Sequence, residues 1–256
     1  MFNQIKKSVE KAVPNFSRKI YYSFNKIRYK GDRYFCPICK QGFSKFLTGP
    51  DLTRINAKCP GCGSLERQRL LWLYLTERLD IKNRKLNLLN VAPDYSTQKA
   101  LKKLKNIDYI SIDLNSSLAI KKNDITNLDF RNNYFDAIIC YHVLEHVKDD
   151  RKAMSELFRV LKPNGWAILQ SPVEIDREIT FEDKSATTPG ERKRLFGQED
   201  HERIYGRDYT VRLTGAVFKV CEDDFINTLT QNEKEKYLLD SSEVIYFCTK
   251  SHFTEK

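Results

Sequence analysis

Residues 140–150 read CYHVLEHVKDD and bring His142, Glu145 and His146 into one short string. If the turn is helical, spacings of three and four put the two imidazoles and the carboxylate on one face. Such a trio can bind a divalent ion, and its donor set suits Zn²⁺, Fe²⁺ or Mn²⁺ better than Mg²⁺. It can equally supply a general base, because an imidazole with an ordinary pKa of about 6.5 takes a proton readily near neutrality. A third reading has His146 simply hydrogen-bonded to backbone and bracing the turn. The chain contains four histidines, and His201 is the second candidate base or a remote metal partner.

A second constellation lies near the front: Cys36-Pro-Ile-Cys39 and Cys59-Pro-Gly-Cys62. Two C-x-x-C turns let four thiolates converge tetrahedrally on one zinc ion, with Gly42, Gly61 and Gly63 easing the tight backbone. With all four ligands supplied by protein, such an ion holds a module together and leaves no position open for chemistry. Short strands are expected at Phe43–Leu47 and Leu52–Ile55. Cys140, Cys221 and Cys248 stand in apolar stretches, where free cysteine behaves as a small core residue. The sequence shows no export signal, so disulfides are not expected and the localisation expected is cytoplasmic.

The net charge of +10 is unevenly placed. Residues 1–30 carry eight Lys or Arg against a single Glu and hold most of the excess. This basic arm, with aromatic residues interleaved, suits an acidic membrane surface, RNA phosphates or a partner protein, or it is a solvated tail. No apolar run approaches the roughly 18 residues that a membrane span requires.

The elements that must position these groups alternate in type. After the second cysteine pair, Ser64 is expected to cap a helix from Leu65 to Leu79 whose apolar residues recur at helical spacing. Arg67 and Arg69 on it are expected on a solvated or salt-bridged face. Strands are then read at 85–91, 109–113, 135–140 and 166–170. Helices are read at 96–105 and from Asp149 or Asp150 onward, stopped by Lys162-Pro-Asn-Gly165. Two late strands, Val217–Cys221 and Val244–Cys248, complete the set, the last antiparallel. Strands separated by helices imply a doubly wound sheet with ligands at the carboxyl ends of its strands.

Phe135-Asp-Ala-Ile-Ile-Cys-Tyr-His-Val-Leu-Glu-His-Val147, continued by Glu156-Leu-Phe-Arg-Val-Leu-Lys-Pro-Asn-Gly-Trp166, resembles the class I S-adenosylmethionine-dependent methyltransferases. The likeness extends more loosely over residues 85–250. H-x-x-E-H also matches a zinc-protease signature, but here the string follows a strand and precedes a methyltransferase-like helix, which argues against that reading. The resemblance implies a Rossmann-like α/β fold, doubly wound around a mainly parallel seven-stranded sheet, behind an N-terminal zinc ribbon.

The resemblance also implies a cofactor site. Family members carry an acidic residue and a glycine-rich loop after the first strand. This chain instead has Asn90-Val91-Ala92-Pro93-Asp94-Tyr95, without a glycine. Asn90, Ala92, Pro93 and Asp94 are assigned to the cofactor by position. Asp94 either binds its ammonium group or caps the next helix. Asp113 and Leu114 correspond to the ribose-binding strand end, Asp124 and Ile125 to the adenine site, and Tyr141 to the methyl-transfer pocket. Some methyltransferases with a Glu-x-x-Glu-His string bind a metal there, so a second divalent ion at His142, Glu145 and His146 is a further expectation.

The organisation expected is a basic arm (1–30), a four-cysteine zinc ribbon (31–64), a connecting helix (65–84) and a methyltransferase domain (85–256), with a substrate lid at about 172–209. Arg192, Arg194 and Arg203 in that lid could grip a phosphate or carboxylate. The expected activity is methyl transfer to oxygen or nitrogen of a small polar molecule such as a sugar, glycan or natural-product precursor. The alternatives are an RNA methyltransferase and a non-catalytic binding module, the latter motivated by the missing glycines.

Overall fold

The computed structural model describes residues 15–50 and 52–251; the first half of the basic arm lies outside the described residues. Two compact units are present, neither of them a continuous stretch of chain. One comprises the residues up to Arg84 together with Asp94–Asn106 and Asp224–Val244; the other comprises Lys85–Pro93, Ile107–Asp223 and the segment from Ile245 onward.

The first unit contains helix Asn15–Arg28 and an antiparallel hairpin of β1 (Lys30–Cys36) and β2 (Gln41–Phe43). Leu47 pairs with Lys58 in an isolated bridge, but the strand expected at Leu52–Ile55 does not form. Leu52 and Asn56 adopt positive φ angles of 65° and 59°, which turn the chain instead of extending it. The following helix runs from Glu66 to Leu73 and then widens into a π turn at Tyr74–Arg78. Its N-cap is Leu65, not Ser64: Gln68 Oε1 accepts the Leu65 N–H at 2.8 Å. The Ser64 hydroxyl is taken up by the sulfurs of Cys36 and Cys62, at 3.4 and 3.3 Å.

Arg69 departs furthest from expectation. It is fully buried, donating to the carbonyls of Ala57, Ser64, Tyr237 and Leu238 at 2.6–2.9 Å, with its guanidinium carbon 4.8 Å from the Phe46 ring centroid. A planar fork with five donors can satisfy four carbonyls at once, which explains how a cation survives there.

The second unit is built on a seven-stranded sheet: β3 (Leu86–Val91), β4 (Ile107–Asp113), β5 (Lys121–Lys122), β6 (Phe135–Tyr141), β7 (Leu161–Gln170), β10 (Lys219–Asp223) and β11 (Ile245–Thr249). The short ladder of β8 (Phe181–Glu182) and β9 (Arg203–Ile204) lies apart from it. The order across the sheet is β10-β11-β7-β6-β3-β4-β5. Pairings from β7 to β5 are parallel, whereas β11 runs antiparallel to both β7 and β10, as the sequence led one to expect. The buried face of helix Asp150–Val160 is formed by Ala153, Met154, Leu157 and Val160, and Asp149 caps it by accepting the Lys152 N–H at 3.0 Å. The helix stops at Val160, and Leu161 already opens β7, so the Lys-Pro-Asn-Gly stretch lies within that strand. Among the described residues no helix is long and apolar enough to cross a membrane.

Candidate active site

The chain leaves β3 toward β4 and β5 on one side and returns to β6 on the other, so the switch point of the sheet lies between β3 and β6. A cleft of about 530 Å³ opens there, lined by Val91 and Ala92 at the end of β3, by Asp113, Leu114 and Asn115 at the end of β4, by Asn123–Thr126, and by Val143 and His146–Asp149 after β6. That volume falls within the usual span of small-molecule sites, about 300–1,000 Å³.

Each acidic group at the cleft is oriented by its own loop. One oxygen of Asp113 accepts the N–H groups of Asn115 and Ser116, both at 2.7 Å. Its second oxygen has no partner among the described residues, as befits a carboxylate awaiting hydroxyl donors. Asp124 likewise uses Oδ1 to accept from the Thr126 N–H and hydroxyl, both at 2.8 Å. Beside it, Asn123 Oδ1 is buried without a partner. An unsatisfied amide oxygen of that kind costs about 1–3 kcal/mol unless a ligand donates to it. Sequence reasoning passed over Asn123 because its neighbour Asp124 carried the family resemblance.

The glycine-free loop resolves locally. Ala92 takes φ +47°, a left-handed conformation usually left to glycine, while its N–H bonds the Ile112 carbonyl at 2.8 Å. Asp94 caps helix Tyr95–Leu101, accepting the Ser96 and Thr97 N–H groups at 2.9 and 3.0 Å. Asn90 is buried, its amide donating to the Tyr109 hydroxyl at 3.0 Å. Neither Asn90, Pro93 nor Tyr141 lines the cleft, whereas Ala92, Asp113, Leu114, Asp124 and Ile125 do. The Tyr141 ring lies 5.1 Å from that of His142 at the end of β6.

The histidine string forms a short turn. His142 has φ +57° and donates its N–H to the Gln170 carbonyl at 2.8 Å, and Leu144–His146 make one turn of 3₁₀ helix. Glu145 is buried, with Oε1 3.4 Å from His142 Nδ1 and 3.9 Å from His146 Nε2, and Oε2 accepting the Ser171 hydroxyl at 3.0 Å. Burial pushes its carboxyl up, but the hydrogen bond from His142 and the charges of His142 and His146 outweigh that and hold it below the ordinary range.

The segment expected as a lid is folded onto this turn. The Glu202 N–H bonds the Glu145 carbonyl at 2.8 Å, and the His201 ring lies 4.7 Å from that of His146, edge to face. Arg203, expected as an anion grip, is buried and does structural work. It donates to the carbonyls of Leu144, Val147 and Lys148, so it ties down the end of the turn that carries Glu145 and His146. It also pairs with Glu182 at 2.6 Å, and Arg212 bridges Glu182 and Asp150, each at 3.0 Å. Arg192 pairs with Glu202 at 3.3 Å.

In the other unit the four thiols do converge. Cys36 and Cys62 sulfurs lie 3.6 Å apart, Cys39 and Cys59 sulfurs 3.8 Å, and all four fall within 4.8 Å of one another. Sulfurs around a tetrahedral zinc stand about 3.8 Å apart, given Zn–S bonds of about 2.3 Å. The same distances are far beyond a disulfide's roughly 2.05 Å. Gly63 closes the second turn at φ +80°, where a Cβ would stand 2.0 Å from the Tyr22 hydroxyl. The cluster fits a structural zinc in both donor type and spacing.

Residues 76–169 match the family model described as a methyltransferase domain. Among solved structures, the chain is similar to a putative methyltransferase from Bacillus halodurans (16% identity, 68% of this chain and 93% of that one, TM-score 0.41). It is similar also to a SAM-dependent methyltransferase from Archaeoglobus fulgidus (14%, 72% and 94%, TM-score 0.47). A third is a structure of the Haloferax volcanii Trm112 methyltransferase activator in complex with a putative methyltransferase (12%, 73% and 94%, TM-score 0.48). Comparison with curated proteins gives no match in sequence. The stretch that matches the methyltransferase domain model runs from the second half of the connecting segment into β7.

Proposed function

We propose that the protein transfers a methyl group from S-adenosylmethionine to an oxygen or nitrogen of a small polar acceptor. One observation carries the reading: at the switch-point cleft, a free carboxylate oxygen on Asp113 and an unsatisfied buried amide oxygen on Asn123 stand ready for hydrogen-bond donors. The adenosine part of the cofactor supplies donors of both kinds, two ribose hydroxyls and an adenine amino group, while Leu114 and Ile125 offer apolar surface to the ring. When bound, the cofactor supplies an electrophilic methyl on a sulfonium.

What the chain contributes is placement and proton handling. In-line displacement gains most from holding the reactants in an attack geometry. We take His146, which lines the cleft, as the base for the proton of an acceptor hydroxyl, with His142 and His201 as further candidates. The polar insert over the turn supports a polar acceptor, a sugar-like molecule being the best fit. A cytoplasmic enzyme is our reading, with zinc in the four-cysteine cluster as a structural ion.

Calorimetry with S-adenosylmethionine and with S-adenosylhomocysteine tests the proposal directly. Binding of both is expected, and no detectable heat at high micromolar ligand would overturn it. A second reading, methylation of RNA, is favoured by the concentration of positive charge in residues 1–30. It predicts RNA binding that weakens steeply with salt and is lost when that arm is removed.

A further inference from the structure

We propose that Glu145, His146 and His201 form a site for a divalent transition-metal ion, whose remaining ligand is an oxygen of the methyl acceptor. The sequence string by itself suggests His142 as the third ligand; the fold brings in His201 from the insert. One ligating atom from each of Glu145, His146 and His201 falls within 4.8 Å of the other two. Ligand atoms about one ion at bonds of about 2.0–2.2 Å stand roughly 3–3.5 Å apart, so modest side-chain rotation closes the set.

Three further features belong to a metal site more than to a packed turn. First, His146 holds Nδ1 3.0 Å from the Asp200 carbonyl and turns Nε2 toward Glu145. Metal-binding histidines characteristically give their other ring nitrogen to a carbonyl in this way, which fixes the tautomer. Second, Glu145 Oε2 accepts from the Ser171 hydroxyl, an outer bond that aims Oε1 at the two histidines. Third, Glu145 is 2% exposed, yet no lysine or arginine pairs with it among the described residues. His142 and His146 are its charged partners, and a dication at this point would add to the compensation that they give a buried carboxylate.

Two imidazoles and a carboxylate with open positions are a donor set for Zn²⁺, Mn²⁺ or Fe²⁺. His146 also lines the cleft, which puts the open side toward the acceptor. An ion there lowers the pKa of an acceptor hydroxyl. With both ring nitrogens of His146 then engaged, the hydroxyl proton leaves to water in place of that histidine, an oxygen lone pair forms the O–CH3 bond, and the S–CH3 electron pair returns to sulfur, converting sulfonium to thioether. Ion binding stands on the geometry alone; this use of it rests on the transferase reading.

The test is titration of the full chain with Mn²⁺, a poor thiolate binder that leaves the four-cysteine cluster out of the measurement, followed by calorimetry and electron paramagnetic resonance. One Mn²⁺ per chain is expected, with affinity at least tenfold weaker in His146→Asn, His201→Asn and Glu145→Gln. S-adenosylmethionine binding is measured on the same samples. Loss of Mn²⁺ with the cofactor still bound supports the site and excludes misfolding as the cause. Should a variant not fold, the wild-type stoichiometry and the remaining variants decide. If wild type takes up no Mn²⁺, Co²⁺ or Zn²⁺ beyond a thiolate-bound ion, or if all folded variants bind Mn²⁺ as wild type does, the site does not exist. A chain that binds Mn²⁺ but not S-adenosylmethionine would retain the ion site and lose the transferase reading.

Discussion

Replacing Arg203 by lysine keeps the charge and removes the fork. In the native protein the guanidinium makes three bonds to the carbonyls of Leu144, Val147 and Lys148 and a fourth to Glu182. A lysine ammonium at the end of a flexible stem can reach Glu182 and one carbonyl but cannot span all four acceptors. At least two charge-assisted bonds are then lost at a residue only 3% exposed. At about 1.5–3 kcal/mol each, the loss is about 3–6 kcal/mol. For a protein of this size roughly 2–4 °C accompany each kcal/mol, so the melting midpoint should fall by about 6–24 °C. Differential scanning calorimetry of wild type and Arg203→Lys measures it, and methyl transfer by the variant below its transition should show a larger loss in kcat than in KM for cofactor. A midpoint within about 2 °C of wild type, the least that a single kcal/mol would shift it, would refute the argument, since it would mean that the turn bearing Glu145 and His146 does not depend on those carbonyl bonds.

Three other substitutions probe separate parts of the molecule. Cys59→Ser leaves three thiolates for the zinc ion that the four-cysteine cluster fits. Because a structural zinc contributes on the order of 10–16 kcal/mol, more than most domains' whole stability, bound zinc by mass spectrometry and the structure of that unit by circular dichroism should be lost together. Asp113→Asn removes the charge proposed to meet the ribose hydroxyls, and losing about 1.5–3 kcal/mol should weaken S-adenosylmethionine about 10- to 150-fold by calorimetry. Burial pushes the Glu182 carboxyl up, but bonds and charge from Arg212 and Arg203 hold it below its usual value. A depressed folded-state pKa gives stability that is complete above about pH 4.3 and is lost as the pH falls through the folded value. Urea midpoints measured from about pH 6 to about pH 3 should therefore decline less steeply in Glu182→Gln than in wild type.

The parallel sheet was legible because Phe135–Cys140 and Leu86–Val91 are mainly apolar runs, broken only by Asp136 and by Asn87 and Asn90, and a strand buried on both faces leaves that signature. The thiolate cluster was legible because its spacing alone constrains geometry. Ala92 was not: no periodicity reports a backbone angle, and an alanine at φ +47° keeps the turn at a cost of about 1–2 kcal/mol. Arg69 was misread as a solvated or salt-bridged group and Arg203 as an anion grip because their acceptors are main-chain carbonyls, Tyr237 and Leu238 for one, Leu144 to Lys148 for the other. Every residue carries such an acceptor, so a buried guanidinium leaves no mark on the sequence around its partners. The meeting of His146 with His201 has the same origin, a contact made by the return of a distant segment.

The chain passes five times between its two units. Consequently the cysteine-bearing unit is not an appendage that a truncation could remove cleanly. Arg69 needs the carbonyls of Tyr237 and Leu238, Tyr74 packs on Phe225, and Asn106 ties the carbonyls of Ile81 and Arg84. During synthesis from the N-terminus Phe225, Tyr237 and Leu238 emerge long after Arg84, so the residues up to Arg84 wait for them before their own unit can close. A metal held early by the four thiolates would serve as the placeholder through that interval, keeping the hairpin and helix assembled until residues 224–244 emerge to complete them.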